Sequence, residues 1–360
     1  MSELRSPLGA GDRRCMGPDL MAFVTAAYVA VGLSPADAAS AAHLMVEADL
    51  IGADAHGIFR LVQYIDRIEA GGLNPRPNIT VTRTAPATAR VDGDNGLGHL
   101  VVNRAAETAI AMARETGVAW AGVRGSNHAG AASVYAALPM AAGMIGIYSA
   151  VASANHMAPW GGNELLLGTN PLAVAIPLGP DADPVVIDMA TTVVSYGTVK
   201  NYALTGRAMP EGWMIDRTTG APITDAADSA NGVLLPIGGY KGAGLALILG
   251  LLAGTLNGAA VGAGVVDFNA DKTTVTNTGQ FIVALDVARF IDPKQFAADA
   301  QRHLEELRQS ARLPGVDRIR LPGDDRALRR RDRTRNGVPL SAPLQARLAV
   351  LAQRLCIPPL

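Results

Sequence analysis

The sequence predicts an α/β protein with a second, helical lobe, and three observations carry that prediction. Both ends of the chain have helical periodicity. The middle alternates short β-rich runs with helical or Gly/Pro-rich stretches, and 49% of the 360 residues are hydrophobic against 18% charged. Strand and helix in alternation is the pattern of a layered α/β structure. At roughly 150 residues per domain the length suggests two lobes, with enough apolar material for both cores. The expected division puts residues 16–85 and 290–360 in a discontinuous helical lobe and residues 86–289 in the α/β lobe.

Two helices fit Pro18 to Asp49, the second with Ser34 as N-cap, Pro35 at its first position and Asp37 in its first turn. A third follows in ADAHGIFRLVQYIDRIEAGG, where Ile58, Leu61, Val62, Ile65 and Ile68 recur at helical spacing and Gly71 and Gly72 close the element. Ile79 to Val91 alternates β-type residues, the turn DGDNG comes next, and a helix is expected over Leu100 to Thr116. Short buried strands are expected at Val118 to Val123, Met144 to Ala150 and Val185 to Asp188, in a mixed sheet. A charged amphipathic helix fits Asp292 to Arg312.

Composition excludes several function classes. Thirty-one basic against 32 acidic residues leave a net charge of −1, so no bulk field would gather nucleic acid or an anionic membrane. The arginine-rich run DRALRRRDRTR is interrupted by acids and lacks interleaved aromatics, and reads as a solvated helix face. The two cysteines, Cys15 and Cys356, form neither a disulfide framework nor a zinc pair. The opening residues lack the apolar core of an export signal, so the expectation is a cytoplasmic protein. Gly242 to Val266 is uncharged and long enough to cross a bilayer, but its glycines, Asn257 and unflanked ends favour a buried core helix and turn.

With 39 glycines the chain invites a search for a dinucleotide fingerprint. Gly96-Leu97-Gly98 and Gly242-Ala243-Gly244 both fail to complete GxGxxG, so an ordinary Rossmann domain is rejected. GGYKGAG, Gly238 to Gly244, offers small residues and Lys241 ahead of an apolar helix. It can be a phosphate cradle or a glycine turn with an exposed lysine.

Acid–base chemistry has two candidate locations. His56, Arg60 and Tyr64 are four apart, a stripe roughly opposite the apolar face of the third helix, facing either solvent or a cleft. Imidazole and phenol can exchange a proton with a hydroxyl, and guanidinium can hold a carboxylate in a bidentate pair. These are the needs of a 2-hydroxy acid. In VRGSNHAGAASVY, His128 follows a strand among small neighbours. In a mostly parallel sheet that loop is where ligands bind, although the histidine could equally cap the next helix. His156, beside Pro159 and Gly161-Gly162, is a rival that a turn could present to water. The six histidines show no metal-ligand spacing, and no GxSxG elbow suggests a serine hydrolase.

Six ordered motifs together resemble the malate/L-lactate dehydrogenase family that is distinct from the ordinary lactate and malate dehydrogenases. They are ADLIGADAHGIFRLVQYI, GSNHAGAASVYA, APWGGNELLLGTNPLAVAIP, IDMATT, LPIGGYKGAGLAL and PGVDRIRLPGD. The family includes 2-oxo acid reductases, ureidoglycolate and sulfolactate dehydrogenases, diketogulonate reductase and cyclic imino acid reductases. The resemblance implies a non-Rossmann α/β fold that binds NADH or NADPH in an extended groove. It also implies a homodimer whose partner helps to build the site.

By resemblance, the proton-transferring histidine falls on His56 or His128, with His128 favoured, and Arg60 and Tyr64 line the substrate site. Ser153, Asp188, Met189, Ala190 and Lys241 match cofactor-contacting positions, to which the neighbours Thr191 and Gly242 are added. Gly323, in Pro322 to Asp324, matches a cofactor loop. Two departures are Ala55, where the family commonly has serine, and Ala129, where many members have phenylalanine. Both remove volume or polarity, which suggests a bulkier or less polar substrate than malate. The expected function is hydride transfer between NAD(P)H and C2 of a small 2-oxo or 2-hydroxy acid. The alternatives are reduction of a cyclic C=N bond beside a carboxylate and an inert cofactor-binding homologue.

Overall fold

A computed structural model describes Gly9 and residues 11–360; the rest of the opening segment, on which the absence of an export signal was argued, lies outside the described residues. A seven-stranded mixed sheet forms the centre. Its strands are β1 (Thr80–Ala85), β2 (Thr88–Asp92), β3 (Val118–Ser126), β4 (Met144–Ala150), β5 (Leu172–Ile176), β6 (Val185–Met189) and β7 (Thr278–Asp286). Their spatial order is β1-β2-β3-β7-β4-β5-β6. Among the described residues only β2 and β3 run parallel. The premise of a mostly parallel sheet around His128 is therefore corrected.

The strands expected at 118–123, 144–150 and 185–188 are present, while β5 and the central β7 were missed. β7 is buried on both faces, so its apolar run lacks the period-2 alternation of a half-exposed strand. Phe281 and Val283 face one side, where Phe281 stacks on Trp120 at a centroid distance of 4.2 Å. Ile282 and Ala284 face the opposite core, shared with helices α4 (Gly98–Thr116) and α5 (Ala132–Ala137).

A second core joins α1 (Gly17–Ala30), α2 (Pro35–Leu50), α3 (Leu61–Glu69) and the C-terminal helix Ala342–Leu355. The Ser34 hydroxyl accepts the Asp37 N–H at 3.1 Å, as the N-cap reading requires. Thr80–Ala85 pairs into the sheet, so we propose moving the lobe boundary from residue 85 to residue 79.

Three expectations change. The third helix begins at Leu61, and residues 54–56 and 58–60 form two short 3-10 turns. The cause is Asp49, whose buried carboxylate accepts the Ile58 N–H at 2.8 Å and would lie 2.0 Å from any β-carbon at position 57. Next, helix α7 (Tyr240–Ala253), with α6 (Tyr196–Thr205) preceding it, buries only one side. Leu247 (50% exposed), Ile248 (52%) and Leu251 (45%) lie bare, so this segment is not the fully buried helix expected. Finally, the arginine run forms α9 (Asp324–Asn336), following α8 (Pro293–Gln309), and is no freely solvated face. Arg330 pairs with Glu47 and Arg331 with Asp183, both at 2.6 Å, while Arg333 pairs with Asp54. Such exposed pairs contribute only about 0–1 kcal/mol each, so they set orientation more than stability.

Removing the Phe281 ring leaves a cavity at the sheet centre. Phe281→Ala should destabilise by about 3–5 kcal/mol, measured as a lower urea midpoint with an unchanged slope. A midpoint within error of the parent would mean that the Trp120 stack is not part of the stable core.

Candidate active site

The cleft forms where the ends of β3 and β4 meet the beginning of β7, and it holds about 840 Å3 of open space. Thr278 and Gln280 of β7 share a face with Ile282 and Ala284, so the face that packs against helices at one end opens into the cleft at the other.

Arg60 enters from the short turn before α3. Its Nε donates to the Ala55 carbonyl at 2.9 Å, and its Nη1 donates to Gln63 Oε1 at 2.7 Å and Asn269 Oδ1 at 3.1 Å. Among the described residues no carboxylate pairs with it. Burial pulls its pKa below the ordinary arginine value. A guanidinium so placed suits an anion, because a withdrawn charge without a partner is costly.

His128 lies across the cleft on the loop after β3. Its Nδ1 accepts from the Tyr64 hydroxyl at 2.5 Å and from the Gly130 N–H at 3.3 Å. The neutral ring therefore carries its proton on Nε2, the nitrogen open to the cleft. Gly130 has φ +82°, and a β-carbon there would stand 3.1 Å from the His56 carbonyl, so glycine is needed for this approach. The His56 and His128 rings stack with centroids 5.8 Å apart. Burial first, then the Arg60 charge, lowers both pKa values, that of His56 to about 4. Tyr64 is fully buried in the core containing Ile58, Leu61 and Ile65, so it does not lie opposite that apolar face. Its hydroxyl reaches His128 from behind, and burial pushes its pKa up.

His56, Arg60, His128 and Ser153 thus share one cleft, with Tyr64 directly behind His128. Asp188 is not among the cleft-lining residues; it accepts the Ser133 N–H at 3.0 Å and pairs with Arg326 at 3.4 Å, and its charge opposes the lowering of the His56 pKa. Met189 and Ala190 are half-buried at the end of the edge strand, and Thr191 is buried, its hydroxyl bonded to the Thr169 carbonyl at 3.0 Å. Lys241, Gly242 and Gly323 are not among the cleft-lining residues. Lys241 is exposed in the first turn of α7, and a β-carbon at Gly242 would lie 2.3 Å from the Ile237 carbonyl. Gly323, with φ +103°, caps α9 beside a second, shallower cleft shared with Gly52, Arg326 and Arg329.

Sequence reasoning missed Tyr196, Lys200, Asn269 and Gln280, all on the cleft wall. Nothing in their local text marks them. His156 is in the cleft as well, stacked on Tyr196 at 3.9 Å, with burial lowering its pKa to about 4, and is not left to water by its turn. Ala129 lines the cleft, whereas Ala55 sits against Gly197 of α6, outside the lining, so only one of the two departures widens the wall.

The family profile of malate/L-lactate dehydrogenases matches residues 17–349. Malate dehydrogenase of Pyrococcus horikoshii is 36% identical over 344 residues, covering 93% of this chain and 94% of that protein. The solved structure of malate dehydrogenase from Pyrococcus horikoshii OT3 superposes with a TM-score of 0.89 at 32% identity, over 99% of each chain. Ureidoglycolate dehydrogenase (NAD(+)) of Escherichia coli O157:H7 is 34% identical over 307 residues, covering 85% of this chain and 86% of that protein. The structure of Δ1-piperideine-2-carboxylate reductase from Pseudomonas syringae pathovar tomato has a TM-score of 0.81 at 28% identity, over 94% of this chain and all (100%) of that one. The chain belongs to the malate/L-lactate dehydrogenase family.

Because the cleft histidines His56, His128 and His156 have depressed pKa values, the unfolded chain binds more protons below the ordinary histidine pKa of 6.5. Their stabilising effect is complete above that pH and is lost on acidification, for His56 down to about 4. The urea midpoint should fall between pH 7 and pH 4.5, and His56→Gln/His128→Gln should flatten the fall. An equally steep fall in the double variant would assign acid sensitivity elsewhere.

Proposed function

We propose that this cleft transfers a hydride between C2 of a small 2-hydroxy or 2-oxo acid and a nicotinamide dinucleotide, NAD or NADP. The carrying observation is the unpaired Arg60 guanidinium facing the same space as the open Nε2 of His128. One binds a carboxylate; the other serves the oxygen on the adjacent carbon.

The cleft suits a flat ring: Ala129, Gly130, Ala150 and Ala152 make a small-residue wall, and Gln280 Oε1 on that wall is a buried acceptor without a donor. When bound, the nicotinamide supplies the hydride in reduction and accepts it in oxidation. Ser153, Asp188, Met189, Ala190, Thr191, Lys241, Gly242 and Gly323 are the proposed cofactor-holding residues. They run from the cleft along the edge strand to the starts of α7 and α9.

Arg60 orients the substrate by its carboxylate. That anion also cancels the Arg60 charge which, after burial, is the next cause of the low His128 pKa. Substrate binding therefore raises the proton affinity of His128 where an acid is needed. Protonated His128 then donates from Nε2 to the oxygen at C2, stabilising the developing alkoxide. The Tyr64 hydroxyl can donate to Nδ1 in the free enzyme and accept from Nδ1–H once the ring is protonated, so it serves both states. His56, stacked on His128, is the rival for this role.

The bare apolar side of α7 supports a homodimer with the site near its interface, since Leu249 on the covered side packs with Val151 of the cleft wall. Near-zero net charge and two free cysteines support a soluble, cytoplasmic enzyme acting on small molecules, without nucleic acid or membrane partners.

His128→Asn should lower kcat for 2-oxo acid reduction by roughly a hundredfold or more, the scale of general acid–base catalysis, with the fold intact by circular dichroism. A near-parental kcat would move the role to His56. A panel of oxaloacetate, pyruvate, phenylpyruvate and a cyclic imine, read by NADH or NADPH absorbance, should give turnover with 2-oxo acids. Turnover confined to the imine would favour C=N reduction, and cofactor binding without any turnover would indicate an inert homologue. Ile248→Glu/Leu251→Glu should give a monomer by light scattering, and a dimer of unchanged mass would place the interface elsewhere.

A further inference from the structure

The loop that carries His128 is held by a buried polar clamp. The Asn127 side chain donates to Asn95 O at 3.1 Å, Asn95 Oδ1 at 3.0 Å and Gly96 O at 3.0 Å. Its Oδ1 accepts from the Thr276 hydroxyl at 3.0 Å, which also bonds Ser126 O at 2.9 Å. That fixes the residue but leaves the peptide plane leading into His128 to be set by its own carbonyl. The Asn127 carbonyl accepts from Gln280 Nε2 at 2.9 Å and from the Ser126 hydroxyl at a longer 3.3 Å, and it sits so close to the first turn of α4 that a β-carbon at Gly98 would lie 2.3 Å away.

Gln280 is 1% exposed and stands on the central strand, the most constrained element of the sheet. Its amide orientation follows from the bonding, since turning it over would put two acceptor oxygens together. Oε1 keeps no protein partner. A buried amide that leaves one of its polar atoms unsatisfied is costly. An apolar side chain at this place would avoid that cost but would leave the Asn127 carbonyl only the longer bond from the Ser126 hydroxyl.

We propose that Gln280 is a positioning residue for proton transfer: by holding the Asn127–His128 peptide plane it aims His128 Nε2 at the substrate oxygen. The inference rests on the reading of His128 as the proton-transfer group. The groups facing that ring are the Tyr64 phenol, the His56 and His99 imidazoles and the Arg60 guanidinium, with the Phe268 ring packed at 5.5 Å. Among them is no carboxylate; the Tyr64 hydroxyl and the Gly130 N–H hold Nδ1, and the direction of Nε2 then follows from where the backbone places the residue.

The test compares Gln280→Leu and Gln280→Glu with the parent and His128→Asn, in reduction of oxaloacetate or whichever 2-oxo acid of the panel turns over, from pH 5 to 9. Gln280→Leu should lose about tenfold to a hundredfold in kcat at every pH, the scale of a small misplacement of a reacting group. Its KM for the 2-oxo acid should stay within about twofold, since Arg60 still holds the carboxylate and the loss concerns the aim of the ring. In Gln280→Glu a neutral carboxyl can donate to the Asn127 carbonyl and a carboxylate cannot. Its kcat relative to the parent should therefore rise as pH falls, a response that a packing defect would not give.

A Gln280→Glu to parent ratio that is flat with pH, or a Gln280→Leu kcat within twofold of the parent, overturns the proposal. If Gln280→Leu does not fold, the pH dependence of Gln280→Glu decides alone. An active His128→Asn would sink the underlying reading instead, and an inactive His128→Asn beside unchanged Gln280 variants would sink only this one.

Discussion

A guanidinium withdrawn from water with no carboxylate beside it is the constraint on which the site depends. Arg60 is held by one backbone carbonyl and two amide oxygens, which satisfy its donors in part and leave its charge uncancelled. That charge has two effects. It suits the cleft to an acid, and after burial it is the next cause that lowers the pKa values of His56 and His128. In the proposed mechanism this repulsion ties proton affinity to substrate binding.

Holding this arrangement requires rigid surroundings, and the fold supplies them through buried polar contacts. Arg67 is wholly buried and donates to the carbonyls of Asp271, Gly72 and Thr274 while its guanidinium lies 4.7 Å over the Phe268 ring. It pins the loop that brings Asn269 to Arg60 and Phe268 to Tyr64. On the opposite side, Asp49 fixes the backbone at Ile58, and glycine at 57 is the one residue that fits over its carboxylate. The histidine-glycine pair thus has a structural cause: the glycine seats the turn and the turn presents His56.

Legibility in the sequence followed the range of the interactions. Local signals were sound: the Ser34 cap, the early helices and three strands of the sheet were readable because neighbouring residues specify them. The edge-to-centre order of the sheet was not, since β7 is supplied from far along the chain and is apolar on both faces. The His56-Arg60-Tyr64 spacing grouped three residues that the structure brings together, two on the cleft wall and one behind His128. It misjudged Tyr64, which stands three residues after Leu61 and four before Ile68 in α3 and so shares their buried face. Asn269, Lys200 and Gln280 carry no local mark at all, as their importance comes from a loop, a helix and a strand meeting at the cleft. The Gly238–Gly244 run shows the opposite limit. Its glycines have a packing reason at Gly242, so their presence alone does not distinguish a cradle from a tight turn.

A crystal structure with NAD and oxamate, an unreactive mimic of a 2-oxo acid, tests the central claim most directly. The account predicts the oxamate carboxylate on the Arg60 guanidinium and its amide-carbonyl oxygen, which stands in for the C2 oxygen, within hydrogen-bonding distance of His128 Nε2. An oxamate bound away from Arg60, with His128 Nε2 facing protein or solvent alone, would contradict it.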